Sequence, residues 1–328
     1  MSQIRIGIVG YGNIGRGVEA AIARNPDCRL DAVFTRRDPK ELSIASANVI
    51  AASLDRITEY KDKIDVMLLC GGSMSDLPIQ GPQIAEHFST VDSYDNHAKI
   101  PEYLASVNAA AKKGNTVALI SAGWDPGLFS MARLLGGASL PDGTDYTFWG
   151  RGVSQGHSDA VRRVDGVANA IQYTVPIPQA VDAVRSGSNP VLATRQKHTR
   201  ECYVVAKPGA DLKQIEADIK NMPNYFADYD TTVTFVTAEE LKAGHSKMPH
   251  AGSVLRSGIT GSEENTHVVE FSLTLGSNPE FTGSVMVAFA RAATRLSEEG
   301  KTGGFTPFDV PLAYLSATPR DQLIKSLL

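Results

Sequence analysis

The sequence predicts an α/β protein: a doubly wound parallel sheet at the N-terminal end, followed by a smaller α+β region with an open mixed sheet. Three observations predict it. Short β-branched runs alternate with helical patterns through the first third of the chain, a glycine-rich turn follows the first run, and the alternation stops after Gly123. Strand–helix alternation of this kind implies βαβ units and a parallel sheet covered by helices on both faces.

The elements follow in order. Ile4–Val9 is a short β-branched run bounded by glycine and reads as a buried strand. Ile14, Val18, Ala21 and Ile22 recur on one helical face, and Asn25-Pro26 stops that helix. Leu30–Phe34, Ile64–Leu69, Ser89–Asp92 and Thr116–Ile120 are further strands, with a helical pattern over Pro101–Lys113 between the last two. Beyond Gly123, Thr144–Trp149, Ala168–Val175, Thr199–Val205, Thr231–Val236 and Thr266–Leu275 read as strands, interrupted by one clear helix, Ala210–Lys220. Asn278-Pro279 has the form of an N-cap followed by proline at the first helical position, and Val285, Phe289, Ala292, Ala293 and Leu296 line one face behind it. Thr318-Pro319 repeats the start signal for a last helix. This late helix is expected to return to the first sheet, so the first domain is discontinuous: residues 1–123 and 277–328, with 124–276 as the second domain.

Composition excludes several classes. The 328 residues carry a net charge of −4, which gives no basic footprint for DNA or RNA. No run of about 18 apolar residues would span a membrane, and the N-terminus has no signal-peptide pattern. The three cysteines, Cys28, Cys70 and Cys202, are odd in number and far apart, which favours a reducing cytoplasm over a disulfide framework or a cysteine zinc site. The seven histidines form no metal-ligand spacing, so no metal is expected.

Gly10-Tyr11-Gly12-Asn13-Ile14-Gly15 fits G-x-G-x-x-G directly after a strand and at the start of a helix, the Rossmann-type context in which the motif means dinucleotide binding. Gly10 permits the turn, Gly12 lets the backbone approach a pyrophosphate, and Gly15 lets the helix pack on the strand. At the end of the second strand, where an acid would hold the ribose hydroxyls of NAD, the chain reads Thr35-Arg36-Arg37. Guanidinium groups there grip a 2′-phosphate, so NADP is the expected cofactor; the plain alternative is two solvated surface arginines. Cys70-Gly71-Gly72-Ser73 follows the third predicted strand, and Cys70 reads as a small buried filler.

Substrate meets cofactor at strand ends. Two of them bear carboxylates, Ser93-Tyr94-Asp95-Asn96-His97 and Gly123-Trp124-Asp125-Pro126-Gly127. Paired acids suit an ammonium group. From spacing alone, Asp95 and Asp125 are equally readable as loop or cap residues.

Nearly end to end the chain resembles the meso-diaminopimelate D-dehydrogenases. The resemblance is carried by IVGYGNIGR (8–16), FTRR (34–37), VDSYDNH (91–97), SAGWDPG (121–127), TFWGRGVSQGHSDAVRR (147–163), QYT (172–174), KHTREC (197–202), MPNYF (222–226), MPHAG (248–252) and SNPEFT (277–282). It implies NADP⁺-dependent oxidative deamination at the D-centre of meso-2,6-diaminopimelate, a homodimer, and a second domain that binds substrate and dimerises. It further implies that Asp95 and Asp125 hold the D-amino group as the catalytic pair, with Trp149 shaping that end. Gln155 and Gly156 also contact substrate, while Thr174, Arg200, His250 and Asn278 hold the distal L-centre. On the cofactor side it assigns Tyr11, Gly12, Asn13 and Ile14; Thr35, Arg36 and Arg37; Cys70, Gly71, Gly72 and Ser73; Ser93, Tyr94 and Asp95; and Ala122, Gly123, Trp124, Asp125 and Pro126. The departures are Thr35 for a serine, Gly71 for a bulkier residue in some relatives, and Ala251 for a glycine.

Each residue also has a plain structural reading. Arg200 suits a carboxylate but could be a strand-edge arginine, Trp149 could be core, and Asn278 already serves as an N-cap. A lone histidine such as His250 is more often packing than ligand, and His157 reads as a hydrogen-bonded structural residue. Two rival functions remain: another NADP-dependent reductase of amino-acid metabolism, acting on a cyclic imine, and a non-catalytic NADP sensor.

Overall fold

Alternating apolar residues with small turns between them produce the expected parallel sheet. The computed structural model describes residues 3–328. Its strands are β1 (Ile4–Val9), β2 (Cys28–Thr35), β3 (Ile50–Ser53), β4 (Val66–Leu69), β5 (Ser89–Asp92), β6 (Val117–Leu119), β7 (Gly143–Trp149), β8 (Gly152–Val153), β9 (Val167–Pro176), β10 (His198–Ala206), β11 (Asp230–Phe235), β12 (His250–Thr260), β13 (Asn265–Leu275) and β14 (Gly303–Phe305). The chain divides into two compact units, Met1–Met131 with Pro279–Leu328, and Ala132–Asn278.

In the first unit, seven strands among the described residues run in the order β14-β6-β5-β4-β1-β2-β3, every neighbouring pair parallel. The order reverses beside β1, and ligands of open α/β sheets bind outside the carboxyl ends of strands at such a reversal. Both faces are covered. On one, Ile6, Ile8, Val33, Leu68 and Leu119 pack with Val18 and Ile22 of the helix Asn13–Ile22 and with Val285, Phe289 and Ala293 of the helix Asn278–Glu298. On the other, Val9, Phe34, Leu69 and Ile120 meet Leu77 and Ile84 of the helix Leu77–Ala85 and Tyr103 and Val107 of the helix Ile100–Gly114. The C-terminal return is locked by Arg291, whose guanidinium donates to Asp27 at 2.6 and 2.8 Å and to Asn25 at 2.6 Å.

In the second unit the expected mixed sheet is β11-β10-β9-β8, with β10 and β11 parallel and the remaining pairs antiparallel. Its core joins Val161, Ala170, Cys202, Val204, Ile215 and Phe226. A further antiparallel sheet, β13-β12-β7, packs Tyr146, Phe148 and Leu255 against Val181 and Val184 of the helix Pro178–Arg185.

The boundaries differ from expectation for local reasons. Residues 124–131 stay with the first unit because Leu128 and Phe129 N–H donate to Gly123 and Trp124 carbonyls, and fully buried Phe129 meets Trp124 edge-on. Asn278 stays with the second because its N–H donates to Met248 O at 2.9 Å. No described helix is long and apolar enough to cross a membrane.

Candidate functional site

The G-x-G-x-x-G turn has the geometry its residue types demand. Gly10 adopts φ +88°, the left-handed region that favours glycine. A Cβ on Gly15 would lie 2.3 Å from Gly10 O, whereas one on Gly12 would meet nothing within 4 Å. Gly12 also begins the helix with no side-chain cap, leaving backbone N–H groups for an anion. A cavity of about 300 Å³ lies against this turn, lined by Gly10, Gly12, Thr35, Arg36, Arg37 and Cys70 among others. The Arg37 N–H donates to Thr35 Oγ1, and its guanidinium reaches Tyr11 O at 3.4 Å. Arg36 is largely exposed and pairs with Asp76 at 2.8 Å, across the cavity. Open backbone at the helix start and two guanidinium groups at the ribose end fit a 2′-phosphorylated dinucleotide. The Tyr11 ring is buried and its hydroxyl donates to Glu19. Cys70 is half-buried in the cavity wall rather than the buried filler expected, and burial pushes its thiol up.

The two acids sit on neighbouring loops of this unit. Asp95, exposed, follows β5, and its N–H donates to Ser73 Oγ at 3.1 Å, which brings the loop after β4 to it. Asp125, half-buried, lies in the turn after β6, closed by Gly123 N–H to Pro126 O at 3.1 Å. Beneath both lies Asp92, which sequence reasoning left as a strand residue. Its Oδ1 accepts from Tyr94 N–H at 2.9 Å and Ser121 N–H at 3.0 Å, and its Oδ2 from the Tyr103 hydroxyl at 2.7 Å. The available signal was position: an acid ending an apolar strand immediately before a site loop.

In the second unit the remaining residues converge on the segment 248–250. Arg200 is 6% exposed. Its guanidinium donates to the Thr174 hydroxyl and lies 3.9 Å over the Tyr229 ring, while Nε has no partner and no acid pairs with it among the described residues. Burial lowers its pKa below the usual arginine range. Thr174 pairs with Arg200 and with Gly152, and His250 packs so closely on Gly152 that a Cβ there would lie 2.4 Å from the imidazole. The Gln155 amide reaches Met248 Sδ at 3.3 Å, Gly156 faces open space, and Asn278 bonds the Met248 carbonyl. Trp149 ends β7, held by its N–H to His198 Nε2 at 2.9 Å and by stacking on that ring. His198 is a second residue the sequence reading passed over, although it stands two positions before Arg200 on the same strand. Burial first, and the charge of Arg200 second, draw His157 and His198 down to about 4, so both are neutral at physiological pH. His157 Nδ1 lies 2.7 Å from Ser154 Oγ, the structural role expected of it. No group of three or more His, Cys, Asp or Glu among the described residues is placed to hold a metal ion.

A model of the diaminopimelic acid dehydrogenase C-terminal domain matches residues 123–277. The chain is 60% identical, over 100% of both chains, to a meso-diaminopimelate D-dehydrogenase of Ureibacillus thermosphaericus. It is similar in structure to the Corynebacterium glutamicum DAP dehydrogenase in complex with DAP, with a TM-score of 0.92, 42% identity and 100% of both chains covered. An engineered D-amino acid dehydrogenase bound to NADP⁺ superposes with a TM-score of 0.86 at 41% identity, again over 100% of both chains.

Proposed function

This chain belongs to the meso-diaminopimelate D-dehydrogenase family, and from that premise we propose that it oxidatively deaminates the D-centre of meso-2,6-diaminopimelate with NADP⁺. The products are L-2-amino-6-oxopimelate, ammonia and NADPH; run in reverse, the reaction is a reductive amination that supplies diaminopimelate. The observation that carries the reading is Arg200: a buried guanidinium with no acid partner among the described residues, flanked by a threonine hydroxyl and the Tyr229 ring. An unpaired buried charge is costly unless a ligand completes it, and a substrate carboxylate accepts two parallel bonds from that fork.

Each residue group has a distinct task. The helix start at Gly12 and the pair Arg36–Arg37 hold NADP, and Asp76 releases Arg36 to the 2′-phosphate. When bound, NADP⁺ supplies the hydride acceptor. Asp95 and Asp125 hold the D-ammonium; one of them receives its proton, so that the nitrogen lone pair assists as the α-carbon gives up hydride. The resulting substrate imine takes up water and releases ammonia and the ketone. Arg200, Thr174, His250 and Asn278 hold the distal amino-acid group at its L-centre. Fixing the reacting carbon in this way is the principal contribution available to the protein.

The test is to mix the chain with meso-diaminopimelate and NADP⁺ and follow NADPH absorbance. Turnover of the meso isomer with none of the L,L form supports the proposal. No signal would favour a cyclic-imine reductase or a sensor, and a D,D control reads the stereochemical demand. The chain is further proposed to work as a cytoplasmic homodimer. The outer face of the β12–β13 sheet leaves Val269 and Phe271 44% and 39% exposed, and the three free cysteines suit a reducing compartment. Light scattering of the wild type and of Phe271→Glu should give a dimer and a monomer, respectively.

A further inference from the structure

We propose that Asp92 is a positioning residue that sets the placement of Asp95 relative to Asp125. The inference rests on the functional reading above in taking those two acids as the reacting pair, and adds a residue that touches neither substrate nor cofactor.

Asp92 is 1% exposed and no cation pairs with it among the described residues. Its bond to Tyr94 N–H is a local turn, of the kind aspartate makes at many strand ends. The rest is not local. The same oxygen accepts from Ser121 N–H, 29 residues away, and the Asp92 carbonyl accepts from Ala122 N–H at 2.7 Å. One residue therefore ties the start of the Asp95 loop to the start of the Asp125 loop. Ser121 sits at φ +56°, a left-handed conformation that a side chain resists, and its own hydroxyl has no partner. What the position contributes is its backbone N–H, aimed at Asp92.

The second carboxylate oxygen is secured from below. Tyr103 donates to it at 2.7 Å and stacks on Tyr94 with centroids 4.1 Å apart, so the Tyr94 ring and its backbone are both held. Gly81 leaves room for the hydroxyl: a Cβ there would lie 2.2 Å from it. A loop cap alone would need the Tyr94 bond. The full set spans two strands and two helices and ends in the chain segments that lead into the two acids.

Three variants and three readouts test this. In Asp92→Ala, amide hydrogen exchange at Tyr94 and Ser121 should quicken at least 100-fold. kcat with meso-diaminopimelate should fall by a similar factor, while binding of adenosine 2′,5′-bisphosphate, which reports on the Arg36–Arg37 end of the cofactor site, stays within threefold. Asp92→Asn should restore kcat to within tenfold of wild type. Its amide oxygen can accept both backbone N–H groups, and its NH₂ can donate to the Tyr103 oxygen. Should Asp92→Ala fail to fold, Tyr103→Phe removes one donor only and should lower kcat three- to tenfold with bisphosphate binding unchanged. Wild-type kcat in Asp92→Ala, equal losses of kcat and bisphosphate binding, or no rescue by folded Asp92→Asn would each overturn the proposal. So would unaltered exchange at Ser121. Exchange needs no substrate, so a wild type inert toward meso-diaminopimelate would refute the functional reading while the tether could still be judged.

Discussion

Two arginines, one in each unit, are buried to the same depth in opposite surroundings. Arg291, 5% exposed, meets Asp27 in a two-point fork, adds Asn25, and has its pKa raised chiefly by the hydrogen bonds to Asp27. Arg200, 6% exposed, has a threonine hydroxyl and a tyrosine ring, and its pKa is lowered by burial. Side-chain type and burial are shared, so neither explains the difference. Arg291 is satisfied by the chain and serves as architecture, joining the returning helix to the end of the first βα unit. Arg200 is left incomplete by the chain, and incompleteness of this kind marks a ligand site better than residue type does.

Substitutions can break or sharpen that contrast. The largest effect is expected from a third kind of arginine, exposed and only loosely paired. Changing Arg36 and Arg37 together to alanine should weaken NADP binding by about 1.5–3 kcal/mol for each charge-assisted bond lost. Titration calorimetry reads this, and unchanged affinity would remove the 2′-phosphate assignment.

Arg291→Met comes next. It strands Asp27 beside a buried helix and should lower unfolding free energy by about 3 kcal/mol, the lower end for a broken buried pair because Asp27 keeps some solvent. Urea unfolding measures it, and KM should not move. Arg200→Met is expected to go the other way in stability, gaining about 1–3 kcal/mol as a buried charge with no acid partner is replaced by an apolar chain of similar length. Its KM for meso-diaminopimelate should rise at least tenfold. Were both methionine variants equally destabilised, the distinction between the two arginines would fail.

The smallest effect is a pH slope. Burial holds the folded pKa of His157 at about 4, below the ordinary value of 6.5. The unfolded chain therefore binds the proton first, and stability present above pH 6.5 is lost as pH falls toward 4. His157→Gln should flatten the loss between pH 7 and pH 5 by about 2 kcal/mol. An identical slope in wild type and variant would show the ring to be titrating normally.

Legibility in the sequence followed the range of each interaction. The helix face Val285, Phe289, Ala292, Ala293, Leu296 was readable from its period, and all five residues are buried against the first sheet. By contrast β12, His250–Thr260, was not readable as a strand, because its glycines and serines carry little β signal. It is held by pairing with β13 on one side and β7 on the other. Similarly β14 is three residues with two glycines, and Gly304 is needed because a Cβ would lie 2.9 Å from Asn108 of the covering helix. Within the site, Arg36, Arg37 and the glycine turn were legible because their meaning depends on the few residues beside them. Asp92 and His198 were not, because theirs depends on partners 29 and 49 positions away.

By itself, then, the amino-acid order determined the βαβ frame, the glycine-rich turn after the first strand and the placing of two arginines rather than a carboxylate at the end of the second. Each of these is written in neighbouring side chains and the dihedral freedom of single glycines. Only the tertiary structure decided which buried charges are answered within the chain. Whether a polar atom is satisfied depends on every group that folding brings within 3 Å of it, and distance along the chain carries almost none of that information.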